Sequence, residues 1–182
     1  MGEYKALLRY NKDDDWSMSG APATIGGRGR GLGVNEFARV LPVGARLLGL
    51  DVGTKTIGLA LSDVTRMIAS GLTTLARGKF AADGRRLLEI VREHDIGGLV
   101  IGLPVNLDGS EGPRAQATRA FARNLAKLTP LPMLLWDERM STMAVERTML
   151  EADLSRQRRA QLVDKLAASY MLQGFLDSVV RA

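Results

Sequence analysis

The chain contains no cysteine, and His94 is its single histidine in 182 residues. Without cysteine there are no disulfides, no thiolate nucleophile and no Cys-ligated zinc, which suits a reducing compartment. A lone histidine likewise rules out a multi-His metal centre. His94 lies beside Asp95 at the polar end of a helical pattern, where it reads as a solvated group at a helix C-terminus rather than a catalytic one. Long apolar runs are also missing. The longest lies around Leu99 to Leu103, far short of the ~20 residues that a membrane span requires, and no apolar segment follows Met1 as a secretory signal would. A cytoplasmic, soluble protein with no membrane partner is expected.

What is present suits one globular domain with an appendage. Hydrophobic residues make up 46%, enough for a substantial core. A formal charge of +5, from 25 Lys and Arg against 20 Asp and Glu, favours polyanionic partners such as nucleic acid. Residues 1–45 differ from the rest: Asp13, Asp14 and Asp15 are followed by a Gly-, Ser- and Pro-rich segment with Arg-Gly repeats at 28–31. This composition buries little apolar area and reads as a flexible extension. Asn35 can cap a short helix over 36–41, after which Pro42 and Gly44 break the chain. The main domain is then 46–182.

That domain opens on an apolar strand over 47–52, a turn at Gly53 and a second apolar run over 57–61, an antiparallel hairpin. A third strand over 72–75 precedes an amphipathic helix over 80–94. The unbroken apolar stretch 98–103 is another strand, ending at Pro104 before the polar loop 106–113. Ligands of open α/β sheets bind where loops leave the carboxyl ends of strands, although turn formation alone accounts for the Asn, Asp and Gly residues here. A helix over 114–128, a strand over 131–136, a helix over 142–151 capped by Ser141, and a final helix over 158–180 complete the domain.

Three carboxylates break these patterns. Asp51 interrupts a strand whose apolar neighbours indicate burial on both faces, Glu138 follows a strand end, and Asp164 lies in the final helix. Ala168, Met171 and Phe175 stand 4, 7 and 11 residues after Asp164, so the carboxylate shares a helix face with apolar side chains and points inward. Inward acids raise one another's pKa unless a cation joins them. Oxygen ligands without His or Cys suit Mg²⁺ or Mn²⁺.

The order βββαβαβα, with acids on the first strand, at a late strand end and on the last helix, resembles the ribonuclease H-like fold. Four blocks sharpen the likeness: Leu50-Asp51-Val52-Gly53-Thr54-Lys55 with Ile57-Gly58-Leu59-Ala60; Gly102-Leu103-Pro104 with Asp108-Gly109-Ser110; Asp137-Glu138-Arg139-Met140-Ser141-Thr142; and Asp164 with Ala167-Ala168 and Leu172-Gln173. Over about residues 46–178 the chain resembles the YqgF (RuvX) family, first described as Holliday junction resolvases and since regarded as pre-16S rRNA nucleases. The resemblance implies an α/β fold with a mixed central sheet and helices on both faces. It further implies catalytic and metal-binding roles for Asp51, Glu138 and Asp164 with Mg²⁺ or Mn²⁺, and a two-metal mechanism. Lys55, Arg139 and Thr142 match positions that orient phosphates, while Asn106 and Ser110 lie in the loop that shapes the substrate groove. Thr56 departs from the family, standing where many members carry a basic residue, and Met140 replaces the commoner leucine.

The implied activity is phosphodiester hydrolysis at the 5′ end of precursor 16S rRNA, with a precursor ribosomal particle as partner and a monomer or homodimer as the working form. A Holliday junction resolvase and a non-catalytic RNA-binding assembly module are the alternatives; the retained acids speak against the second, because without metal they would repel phosphate. The Asp-Val-Gly-Thr turn also resembles the first phosphate loop of actin-like ATPases. Those enclose a nucleotide between two such domains, and this chain has room for one.

Overall fold

The computed structural model describes residues 32–137 and 156–180. A five-stranded mixed sheet forms its centre: β1 (Arg46–Val52), β2 (Thr56–Ser62), β3 (Ala69–Ala76), β4 (Ile96–Leu103) and β5 (Met133–Asp137), in the spatial order β3-β2-β1-β4-β5. The first three strands form an antiparallel meander, and β4 and β5 then add in parallel beside β1. Among the described residues four helices accompany the sheet: α1 (Val34–Val40), α2 (Phe80–Glu93), α3 (Pro113–Leu125) and α4 (Arg156–Val180). This is the mixed α/β architecture of the ribonuclease H-like fold that the acid pattern implied. Ser141 and the helix expected over 142–151 lie outside the described residues. Among the described residues no helix is long and apolar enough to cross a membrane.

Strand alternation explains the layers. On β1, Leu48, Leu50 and Val52 face one way and join Leu87 and Val91 of α2 and Phe121 and Leu125 of α3 in one core. Leu47 faces the other way, into a core with Phe37 of α1 and Ala168, Met171 and Phe175 of α4. Helices therefore cover both faces, as a nearly unbroken apolar strand demands. Gly49 lies directly beneath α4: a Cβ there would stand 2.9 Å from the Leu172 Cβ, an atom that cannot swing aside. Gly49→Val is expected to cost roughly 1–3 kcal/mol by pushing α4 off the sheet. Urea denaturation measures this, and an unchanged midpoint would refute the contact.

Some boundaries moved. The short N-terminal helix starts at Val34 behind Gly33, which makes no side-chain cap, so Asn35 lies inside the helix instead of capping it. Tertiary packing supplies what the missing cap does not. Phe37 is fully buried and meets Phe175 edge to face, with centroids 5.7 Å apart. β3 begins at Ala69, earlier than its apolar centre suggested, because its backbone pairs with β2 across a register shift between Leu59 and Ala60. His94 is the C-cap residue of α2, its backbone N–H donating to the Ile90 carbonyl, in keeping with a structural reading.

Candidate active site

The carboxyl ends of β1, β3, β4 and β5 and the start of β2 meet along one edge of the sheet, the position where open α/β sheets bind ligands. Asp51 is the penultimate residue of β1 and stands at this edge. The apolar run before it indicated full burial, yet Asp51 is only half-buried, because β1 reaches the rim there while Leu47 to Leu50 stay buried. Partial exposure lowers the cost of keeping the carboxylate ionised.

Alternation places Asp51 on the face that carries Leu47 and Gly49, the face under α4. Its neighbours in the lateral row are unusual. Opposite Asp51 on β2 is Gly58, and opposite Gly58 on β3 is Thr74. On the other side, Leu50 pairs with Ile101, and the next residue, Gly102, pairs with Trp136 of β5. Glycine thus flanks Asp51 on both adjoining strands, and neither puts a side chain beside the carboxylate. Beyond the two glycines, Thr74 Oγ1 and Trp136 Nε1 are buried with no hydrogen-bond partner among the described residues. Unpartnered buried donors are uncommon and call for a cause. Here they flank an acid in a row cleared by glycine.

The loop leaving β4 borders the same edge. The Asn106 N–H donates to the Ser110 carbonyl and the Gly109 N–H to the Asn106 carbonyl, both at 2.9 Å, with Gly109 in the left-handed region at φ 86°. Ser110 Oγ donates to Asp108 Oδ1 at 2.6 Å and accepts from Asn106 Nδ2 at 2.9 Å. Asn106 and Ser110 are exposed, but these contacts spend much of their polar capacity inside the loop. Glu111 accepts from Arg119 Nε at 2.7 Å, which ties the loop to α3 and holds the Glu111 carboxyl below its usual range. Across the edge, Lys55 is exposed in the β1–β2 turn, its side chain without a partner among the described residues.

Of the remaining residues singled out from sequence, Glu138, Arg139 and Thr142 lie outside the described residues, directly after β5. Asp164 falls in α4, eight residues before Leu172; its side chain is outside the description. The C-terminal part of α4 is pinned to the amino end of β3: Gln173 Oε1 accepts from the Ala69 N–H at 2.8 Å, and its Nε2 donates to the Met67 carbonyl at 3.0 Å. The preceding turns of α4 consequently run toward the edge that carries Asp51. Among the described residues no three His, Cys, Asp or Glu side chains gather as a metal cluster. Sequence reasoning missed Thr74 and Trp136, and it did not place Gly102, quoted only as part of a motif, beside Asp51; the pairing register, not composition, reveals all three.

Residues 45–178 match the model of the family described as RuvX, Holliday junction resolvase. The chain belongs to the RuvX family. Asp51, Glu138 and Asp164 all lie within the matched span, whereas α1 precedes it. Among similar relatives, one from Rhodobacter capsulatus is 63% identical over 145 residues, covering 80% of this chain and 91% of the relative. One from Paracoccus denitrificans is 60% identical over 144 residues, covering 79% and 91%. Both are provisionally named pre-16S rRNA nucleases. A solved structure of T. thermophilus RuvC with a Holliday junction substrate aligns at 14% identity and a TM-score of 0.48, covering 74% of this chain and 96% of that one.

Proposed function

We propose that the chain is a divalent-metal-dependent nuclease that trims the 5′ end of precursor 16S rRNA. The observation that carries this reading is the row around Asp51: a half-buried acid at the carboxyl edge, with glycine opposite it on both adjoining strands and, beyond them, two buried donors that have no partner among the described residues. Such a row suits a hydrated cation, since waters in its shell can occupy the glycine gaps and meet Thr74 Oγ1 and Trp136 Nε1. In this reading Glu138 and Asp164 complete an all-oxygen donor set, chemistry that favours Mg²⁺ or Mn²⁺ over zinc. Two observations support their inclusion. Trp136, two residues before Glu138, packs in the same core as α4, and α4 runs toward Asp51. When bound, a pair of such cations lowers the pKa of the attacking water and neutralises charge on the leaving oxygen.

The chain's own residues then divide the work. Asp51, Glu138 and Asp164 hold the cations, Lys55, Arg139 and Thr142 orient backbone phosphates, and the loop bearing Asn106 and Ser110 shapes the groove beside them. Relatives named for precursor 16S rRNA, at about 60% identity over most of the chain, favour RNA as substrate; a precursor ribosomal particle as partner, the cytoplasm as setting and a monomer or homodimer as working form are part of the same proposal. The family's own description favours a DNA junction as the second reading. Offering the purified protein precursor 16S rRNA and a four-way DNA junction side by side separates them. Cleavage of the RNA alone, supported by Mg²⁺ or Mn²⁺ and abolished by chelator, is expected; cutting of the junction alone, or cleavage unaffected by chelator, would refute the proposal.

A further inference from the structure

The turn between β1 and β2 spans Gly53, Thr54 and Lys55, with Thr54 and Lys55 exposed. The Gly53 N–H closes it on the Thr56 carbonyl at 2.9 Å. Of the turn's three carbonyls, two end on a single residue. Arg77, the first residue past β3, donates its backbone N–H to the Lys55 carbonyl at 2.8 Å and its guanidinium Nη1–H to the Gly53 carbonyl at 2.5 Å. The same guanidinium lies 5.8 Å from the centroid of the Phe121 ring on α3, a cation–π distance. Arg77 is itself held in place: the Gly78 N–H donates to both carboxylate oxygens of the buried Asp83, at 3.1 and 3.2 Å. A strand end, a helix start and an aromatic ring thus converge to fix one guanidinium under one turn.

We infer that Arg77 is a positioning residue that locks the 53–55 turn, so that Lys55 is presented at a fixed place beside Asp51. The inference rests on the nuclease reading, in which Lys55 meets a substrate phosphate. A planar guanidinium can lie against a ring while an in-plane N–H reaches a carbonyl, a fixed geometry that the compact, rotating lysine ammonium does not reproduce. Rigid support of this kind is what a phosphate contact needs, because misplacement of a positioning group by about 1 Å is enough to cost on the order of a hundredfold in rate. Arg77 acts through Lys55 and does not touch the substrate.

A double-mutant cycle in the full chain tests this, with Lys55→Ala, Arg77→Met, Arg77→Lys and the Lys55→Ala/Arg77→Met double variant assayed for kcat/KM on the RNA that wild type cleaves. Each single variant is expected to lose on the order of tenfold to a hundredfold, and the double variant to lose no more than Lys55→Ala alone. Losses that multiply, wild-type activity in Arg77→Met, or full activity in Arg77→Lys would overturn the inference. Should Arg77→Met fail to fold, Arg77→Lys combined with Lys55→Ala carries the same cycle. Hydrogen exchange of the Gly53 and Thr56 amides reads the clamp without any substrate: it should quicken in the Arg77 variants, and unchanged exchange would overturn the inference. If Asp51→Asn is inactive while Lys55→Ala cleaves like wild type, only this inference fails. If wild type cleaves nothing, the nuclease reading fails while the exchange result still stands.

Discussion

Asp51→Asn is expected to lower cleavage at least on the order of a thousandfold while leaving the protein folded. A thousandfold corresponds to about 4 kcal/mol of transition-state stabilisation, the scale that metal-held charge supplies. The asparagine is nearly isosteric, and Asp51 is half-buried at the rim of the sheet, outside both apolar cores. Thermal denaturation should therefore move by no more than a few degrees, and RNA binding measured by gel shift should largely persist. Single-turnover kinetics with saturating Mg²⁺ checks the rate. A variant that cuts as fast as wild type would remove Asp51 from the site, and one that unfolds would show that its carboxylate is chiefly structural.

The second large effect concerns stability. Phe175→Ala is expected to destabilise the fold by roughly 3–5 kcal/mol, the usual cost of emptying a core aromatic position. Phe175 is 1% exposed and is the aromatic hub of the core under α4. Its ring meets Phe37 at 5.7 Å and Trp136 at 5.6 Å between centroids, both edge to face. Such pairs add about 0.5–1.5 kcal/mol each beyond area burial. Removing the ring should loosen α1, α4 and the end of β5 together, so the midpoint of denaturant unfolding falls and near-ultraviolet dichroism from Trp136 weakens. The change also bears on function: Trp136 leads into the segment containing Glu138, so cleavage should weaken at temperatures where the fold still holds. Stability within 1 kcal/mol of wild type would contradict the packing described for this core.

The strands were legible in the sequence for a simple reason. Stretches such as Leu47-Leu48-Gly49-Leu50 and Leu99-Val100-Ile101 are apolar without alternation, and only strands covered on both faces tolerate that. The hairpin through Gly53 and the inward stripe of Ala168, Met171 and Phe175 followed from period alone. Asp51 was conspicuous because a carboxylate ends an apolar run. Its half-burial was not legible, since composition does not say where a strand leaves the sheet. The start of α1 was misjudged because Asn35 looked like a cap, whereas burial of Phe37 decides where that helix forms.

The row across Asp51 was hidden for a different reason. Gly58, Thr74, Gly102 and Trp136 lie far apart in sequence, and only the pairing registers bring them into line. Arg77 was hidden too. One arginine after one strand looks like any solvated cation until its two bonds to the same turn are seen. Asn106 and Ser110 were legible as a polar loop, yet their contacts with each other and with Asp108 arise from local turn geometry that a sequence pattern does not distinguish from a binding surface.

The most direct test of a three-acid metal site centred on Asp51 is Mn²⁺ titration of the wild-type chain and of Asp51→Asn, Glu138→Gln and Asp164→Asn, followed by electron paramagnetic resonance in the absence of nucleic acid. Each substitution is expected to weaken binding by on the order of tenfold to a hundredfold, the range in which even outer-shell changes at metal sites fall. All three variants binding Mn²⁺ as tightly as wild type would contradict the account.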